Sequence, residues 1–362
     1  MHYQNVCLET FAYSLPEEII TSEQIESRLA PLYSRLRLPE GRLELMSGIA
    51  QRRFWPAAMP PSTKSVETAE KAIRIAGIDR RQIGALIHGS VCRDYLEPAT
   101  ACGVHHRLGL SGKCMIYDVS NACLGLLNGM VQVANMIELG QIRAGLVVGT
   151  ESSRSLVETT IERLNADTTL RRNDVKPAMA SLTIGSGSAA IVLCDRELSR
   201  TGNRLLGGVA RCNTDGCKLC QSDGLREFMQ TDSETLLREG IATAEETFAE
   251  FIESVDWSVG EIDKTFCHQV GRAHRKLMLE SLALEPSVDY TTLELLGNTG
   301  AVALPVTAAI GIENGHVRKN DRVALLGIGS GINVVMLGVD WQRSLVEKGP
   351  AMVRPRKKTV DV

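Results

Sequence analysis

Short apolar runs alternate along most of the chain with segments whose apolar residues recur every three or four positions. This is the mark of strands alternating with amphipathic helices, and it predicts an α/β fold. In residues 66–76, Val66, Ala69, Ile73 and Ala76 share one helical stripe, which Gly77 ends. A short buried strand follows over 85–90, another over 114–120, and then a helix from about Ala122 to Leu139 that Gly140 stops. Residues 144–150 are continuously apolar, as in a strand covered on both faces, and 186–195 reads as the last strand of this half.

The same order recurs in the second half. A long amphipathic helix over about 233–254 precedes a strand over 264–269, a helix from Arg272, a helix over 298–314, and two strands around a Gly-rich turn within 322–339. Laying 134–140 on 309–315 superposes two helix ends and puts Cys123 on Asn298. GLVVG at 145–149 likewise resembles VALLG at 323–327, and strand ends with His88 and His268 correspond after a small gap. The shared order predicts an internal duplication, with halves 1–199 and 200–345 and a basic, flexible tail at 346–362. A duplicated α/β unit tends to carry its site where the halves meet, at strand ends. Residues 200–232 are polar and glycine-containing, and are expected to form an excursion over the core.

Composition narrows the class. Of 362 residues 44% are hydrophobic and 23% charged, as in ordinary globular proteins. Forty basic against 43 acidic residues leave a net charge of −3, which offers no field for nucleic acid. Neither a membrane-length apolar run nor a secretory signal is legible, so a cytoplasmic enzyme is expected. Its ten cysteines are then read as reduced thiols, with Cys7, Cys114, Cys194 and Cys267 as core residues. The spacing Cys212-x4-Cys217-x2-Cys220 lacks a nearby fourth ligand, so no metal is expected there.

Candidate chemistry concentrates at DVSNACLGLLNGM, 118–130. Cys123 there joins a strand to a helix, where free amides and the helix dipole favour a thiolate and an oxyanion. His268 leaves an apolar strand on the predicted site side, and Asn298 in GNTGA is the duplicate position of Cys123. GIGSGIN, 327–333, is a tight turn whose amides can face the same point. His2, His105, His106 and His316 fall at terminal or polar positions and are read as solvated.

In combination, Cys in NACLG, His in HQ, Asn in GNTGA with ALP following, and the terminal GxGSG resemble the thiolase superfamily, in its ketoacyl synthase III branch, over residues 1–343. The resemblance implies the thiolase fold, a duplicated five-layered αβαβα architecture. It also implies that Cys123 carries an acyl group, that His268 and Asn298 polarise the second thioester, and that backbone amides at Cys123 and Ser330 hold the oxyanion. RDYLEPATA at 93–101, with NACLGLLNGM at 121–130, KLC at 218–220 followed by TDSETLL at 231–237, and ALLGIGSGIN at 324–333, is similar to the OleA-type acyl-CoA condensing enzymes of bacterial long-chain olefin biosynthesis. For Glu97 this implies entry into the site of a dimer partner as the base that removes an α-proton.

The implied activity is a non-decarboxylative Claisen condensation of two acyl thioesters in a homodimer, with CoA or acyl-carrier thioesters as substrates and no cofactor. The alternatives are a decarboxylating ketoacyl synthase with a malonyl donor, an acyltransferase to an alcohol or amine, and a non-catalytic subunit. One element departs from the ketoacyl synthase III pattern. Arg42 and Met46 stand where the Trp and Arg of a CoA-gripping Trp-x-x-x-Arg element are expected, which leaves the carrier open. Arg52 and Arg53 are candidate phosphate contacts, with a solvated pair as the simpler expectation.

Overall fold

The computed structural model describes residues 1–223 and 228–349. Nine strands form its main sheet: β1 (Val6–Ser14), β2 (Ile83–Gly89), β3 (Met115–Val119), β4 (Ala144–Glu151), β5 (Gly187–Asp195), β6 (Arg204–Cys212), β7 (Lys264–Cys267), β8 (Arg322–Gly329) and β9 (Asn333–Asp340). Their spatial order is β7-β8-β9-β6-β1-β5-β4-β2-β3. The first half thus runs β3-β2-β4-β5-β1, parallel at β3, β2 and β4 and antiparallel beyond. The second half repeats this order as β7-β8-β9-β6, and its missing edge strand is reduced to a parallel bridge between Thr265 and Asp289. The halves join where β1 meets β6, with Cys7 opposite Arg204.

Alternation along each strand sends side chains into different layers. From β4, Val147 enters a central core while Leu146 and Val148 enter an outer one. From β8, Val323 and Leu325 enter that central core, and Ala324 and Leu326 an outer core of their own. Helices α1 (Pro61–Ala76) and α2 (Thr100–Leu108) cover the first half of the sheet. Helices α4 (Ser233–Val255) and α5 (Arg272–Ser281) cover the second. Between the halves lie α3 (Gly125–Glu138) and α6 (Ala303–Glu313). Helix α6 is buried from Ala303 to Ile312 because it has sheet on both sides, whereas α1 buries only a stripe. The result is five layers, αβαβα.

Residues 200–232 depart from the expected excursion. Within them β6 is a core strand, paired with β9 from Arg204 to Cys212. The signal was hidden by Gly207 and Gly208, at φ 139° and 159°, where a Cβ would fall 2.0 Å from the Met1 carbonyl oxygen and 1.9 Å from that of Met336. Only glycine permits that approach. The predicted helix over 298–314 begins later, at Ala303, and Asn298 lies ahead of it in a parallel bridge with Ile184. At the predicted tail, Glu347 pairs with Arg74 at 2.6 Å and the Gly349 amide donates to Glu313 at 2.8 Å. Residues 350–362 lie outside the described residues.

A smaller helical layer, not foreseen in the pattern, buries Ile25, Leu29, Leu32 and Leu43 against Val157, Ile161 and Leu182. It leads into Arg52 and Arg53, which are buried rather than solvated. Arg52 donates to Ser22 Oγ at 3.1 Å, and burial lowers its pKa to about 10.

Candidate active site

Cys123 lies in the turn between β3 and α3, two residues before the helix begins. Ala122 takes a left-handed φ of 45°, and the Leu124 amide closes the turn on the Asn121 carbonyl at 2.9 Å. The helix start is pressed onto the end of β2. A Cβ on Gly125 would stand 2.8 Å from the Gly89 carbonyl carbon and oxygen, and one on Gly89 would stand 2.6 Å from those of Gly125. The glycine after Cys123-Leu124 therefore sets how near the nucleophile turn sits to the sheet.

The β8–β9 turn approaches from the other half. A Cβ on Gly329 would lie 3.4 Å from the Cys123 backbone nitrogen. Asn333 Nδ2 donates to the Ser330 carbonyl at 3.0 Å and to Asn121 Oδ1 at 3.2 Å, and Asn121 in turn donates to Asn128 at 2.8 Å. A chain of three asparagines thereby holds the Gly-rich turn and the Cys123 turn in one register. Ser330 is half-buried within it.

His268 follows β7 directly, and its amide donates to the Leu326 carbonyl at 3.1 Å. Its position is fixed from behind. Buried Asp289 accepts from the Cys267 amide at 3.1 Å, from Thr265 Oγ1 at 3.2 Å and from Arg275 Nε at 2.6 Å. The imidazole is 3% exposed, and both ring nitrogens are buried without a partner among the described residues. Burial, with His274 nearby, lowers its pKa to about 3. A neutral imidazole offers one N–H donor and one acceptor.

Asn298 is anchored on both sides. Its amide donates to the Thr183 carbonyl at 3.1 Å, and its carbonyl accepts from Gly185 at 2.9 Å. Its Oδ1 accepts from the Gly300 amide at 2.9 Å, which turns the side chain into a loop clasp and leaves Nδ2 to donate elsewhere. Glu97 stands exposed on the loop between β2 and α2, beside Tyr95 and Leu96, which are 67% and 90% exposed. Within its own chain it is a surface residue.

Two features were not foreseen. Glu151, at the end of β4, is buried beside this group, and Cys220 also adjoins the nucleophile. Burial, Glu151 and Cys220 together push the Cys123 thiol up to about 12. This corrects the expectation of a thiolate-favouring helix start: Cys123 precedes α3, and desolvation outweighs its backbone hydrogen bond. Cys220 opens a strand, Cys220–Asp223, that pairs antiparallel with Phe228–Thr231, and it accepts from Thr231 Oγ1 at 3.4 Å. Cys212 and Cys217 are exposed. Among the described residues, no group of three His, Cys, Asp or Glu side chains is disposed to hold a metal ion.

His88, the duplicate of His268, is a core residue. It contacts Ser65 Oγ at 3.2 Å, and burial lowers its pKa to about 4. Cys7, Cys114, Cys194 and Cys267 are buried. His316 is not solvated but half-buried against Phe266 and Tyr290.

Comparison with known proteins gives this geometry its context. A family described as "Thiolase, N-terminal domain" matches residues 61–186, and "3-Oxoacyl-[acyl-carrier-protein (ACP)] synthase III C terminal" matches 252–341. An acyl-CoA:acyl-CoA alkyltransferase of Shewanella oneidensis is 44% identical over 351 residues, covering 94% of this chain and all of that protein. One from Xanthomonas campestris pv. campestris is 39% identical over 341 residues, covering 94% of this chain and 100% of its own length. A crystal structure of Xanthomonas campestris OleA with bound lauric acid and lauroyl-CoA, in a cysteine-to-serine variant, superposes with a TM-score of 0.90 at 38% identity. It covers 94% of this chain and 100% of that one. The thiolase fold, the paired family matches and the full-length similarity together make this chain a thiolase-superfamily condensing acyltransferase, and it belongs to the acyl-CoA:acyl-CoA alkyltransferase, or OleA, family.

Proposed function

We propose that the protein joins two acyl-CoA thioesters by Claisen condensation without decarboxylation, through an acyl-cysteine. Similarity along 94% of the chain to two acyl-CoA:acyl-CoA alkyltransferases supports the substrate class. The observation that carries the chemistry is the neutral, unpartnered imidazole of His268, a pre-positioned donor for a carbonyl oxygen rather than half of a thiolate–imidazolium pair. In the first step Cys123 sulfur bonds to the acyl carbon of one thioester and the carbon–CoA sulfur bond breaks, with the thiol proton leaving on CoA. The oxyanion of this step is held by the amides of Cys123 and Ser330.

The second acyl-CoA then binds with its carbonyl oxygen toward His268 and Asn298 Nδ2. Glu97 from the partner chain takes its α-proton, the carbanion bonds to the acyl carbon on Cys123, and the carbon–sulfur bond to Cys123 breaks. The proton held by Glu97 returns as the thiol is restored, and hydrolysis of the β-ketoacyl thioester gives a β-keto acid. Two copies are needed, and the exposed Val91, Tyr95 and Leu96 flanking Glu97 are the apolar contacts expected of an interface loop. Halves 1–199 and 200–345 supply Cys123 and the His268–Asn298 pair respectively. No cofactor or metal takes part. Among the described residues no helix is long and apolar enough to cross a membrane, and we infer a cytoplasmic enzyme from its acyl-CoA substrates.

The test is incubation with acyl-CoA alone and mass spectrometry of the products. A β-keto acid formed without a malonyl donor supports the reading, and product only on adding malonyl thioester overturns it. Glu97→Gln should load Cys123 at the parental rate yet lose condensation by about 10²–10⁴.

A further inference from the structure

Glu151 ends β4 at 5% exposure and carries none of the roles above. Its carboxylate receives amides from two separate segments. Oε1 accepts from Val91 at 2.9 Å and from Ala301 at 3.3 Å, and Oε2 accepts from Cys92 at 3.2 Å. Val91 and Cys92 open the loop that carries Glu97, and Ala301 closes the turn that carries Asn298. Gly300 lies directly on the side chain, where a Cβ would meet its Cδ at 3.2 Å. The Glu151 main chain is itself held, because Trp55 Nε1 donates to its carbonyl at 3.1 Å.

The start of the loop is also tied by Ser90 Oγ, which donates to the Thr150 carbonyl at 2.7 Å, and by the Ser152 amide, which donates to Cys92 Sγ at 3.3 Å, and the loop is pinned again farther along. Asp94 accepts from the Ser62 amide at 2.9 Å, and Asp118 accepts from Thr100 and Ala101 at 2.8 and 2.9 Å. Glu151 therefore holds the amides of Val91 and Cys92 at the start of the loop, and it does so from the same carboxylate that clasps the Asn298 turn.

We propose that Glu151 is the positioning residue of the condensation step: its buried carboxylate sets the Glu97 loop and the Asn298 turn relative to each other. This rests on the reading of Glu97 as the base offered to the partner's site. Glu151 then ties the base given to the neighbouring site to the amide that serves its own. Burial is the main reason the Cys123 thiol is pushed up, and the Glu151 carboxylate adds to it. Burial also raises the pKa of Glu151 itself, against the three amides that favour its ionised form. A carboxylate suits the task because an anion can accept all three amides, whereas a neutral amide side chain would turn an NH₂ group toward one of them.

The test compares Glu151→Gln, Glu151→Asp and Glu97→Gln in the full-length enzyme. Three readouts are used: acyl loading of Cys123 by intact mass, steady-state condensation, and iodoacetamide alkylation of Cys123 against pH. In Glu151→Gln, condensation should fall about 10–10²-fold with loading changed less than about fivefold. Alkylation at pH 8 should rise about three- to tenfold because a like charge is gone. A general loss of structure would slow loading too, and by exposing the thiol would speed alkylation well beyond that rise, toward the rate of an ordinary free thiol. Glu151→Asp should lose condensation while its alkylation profile stays parental, and it decides the matter if the Gln variant does not fold.

Parental condensation in both Glu151 variants overturns the proposal, as does failure of both to fold, which would make the carboxylate a structural tie. A wrong assignment of Glu97 shows separately. Glu97→Gln would then condense at the parental rate, whatever the Glu151 variants do.

Discussion

Alkylation of Cys123 tests the electrostatics of the site directly. Burial, the Glu151 carboxylate and the Cys220 thiol push its pKa up to about 12. At pH 7.5 that leaves about 3 × 10⁻⁵ of the sulfur as thiolate, against about 0.1 for an unperturbed thiol with a pKa of about 8.5. The ratio is about 3 × 10³. A more basic thiolate is also a better nucleophile, and with a Brønsted slope near 0.4–0.5 about 30- to 60-fold is recovered. Substrate-free Cys123 should therefore react with iodoacetamide about 10²-fold more slowly than a small-molecule thiol of ordinary acidity. The assay is a time course at fixed pH, with the Cys123 peptide quantified by mass spectrometry. A narrow path to the half-buried sulfur would lower the rate equally at every pH, so the diagnostic is the slope. The rate should rise about tenfold per pH unit from 7 to 10 without levelling. A plateau below pH 9 would refute the reasoning and restore an activated thiol.

Mixing Cys123→Ala with Glu97→Gln chains under subunit exchange should restore about a quarter of parental condensation, since half the dimers are mixed and each has one competent site. Inactive mixtures from demonstrably exchanged subunits would place Glu97 outside the partner's site. Phe251 is fully buried, with Phe248 and Trp257 rings 6.1 and 6.0 Å away, so Phe251→Ala should destabilise the outer core by about 3–5 kcal/mol in denaturant unfolding. Loading of Cys123 under native conditions should persist in that variant, because α4 lies on the far side of the sheet from α3. Elemental analysis of protein purified without chelator should find well under one zinc per chain, and stoichiometric zinc would require a ligand set including Cys212, Cys217 and Cys220.

Local pattern by itself determined a good deal of this protein. The continuous apolar run at 144–150 became β4, the strand read at 186–195 became β5, the stripe at 66–76 became most of α1, and the repeated order foretold the strand order that recurs across the sheet. The placement of Cys123 between a strand and a helix, and of His268 at a strand end, was legible because small residues and glycine mark such places. Tertiary structure decided what pattern cannot encode. β6 was invisible because Gly207 and Gly208 contribute no side chain to an alternation, and they are required there by contacts with Met1 and Met336. Arg52 and Arg53 read as a solvated pair until a helical layer from elsewhere in the chain covered them. Above all, the acidities of Cys123 and His268 were beyond the sequence. A pKa depends on water excluded and charges gathered from distant segments, here Glu151 and Cys220 around one group and His274 beside the other, and only the folded chain brings these together.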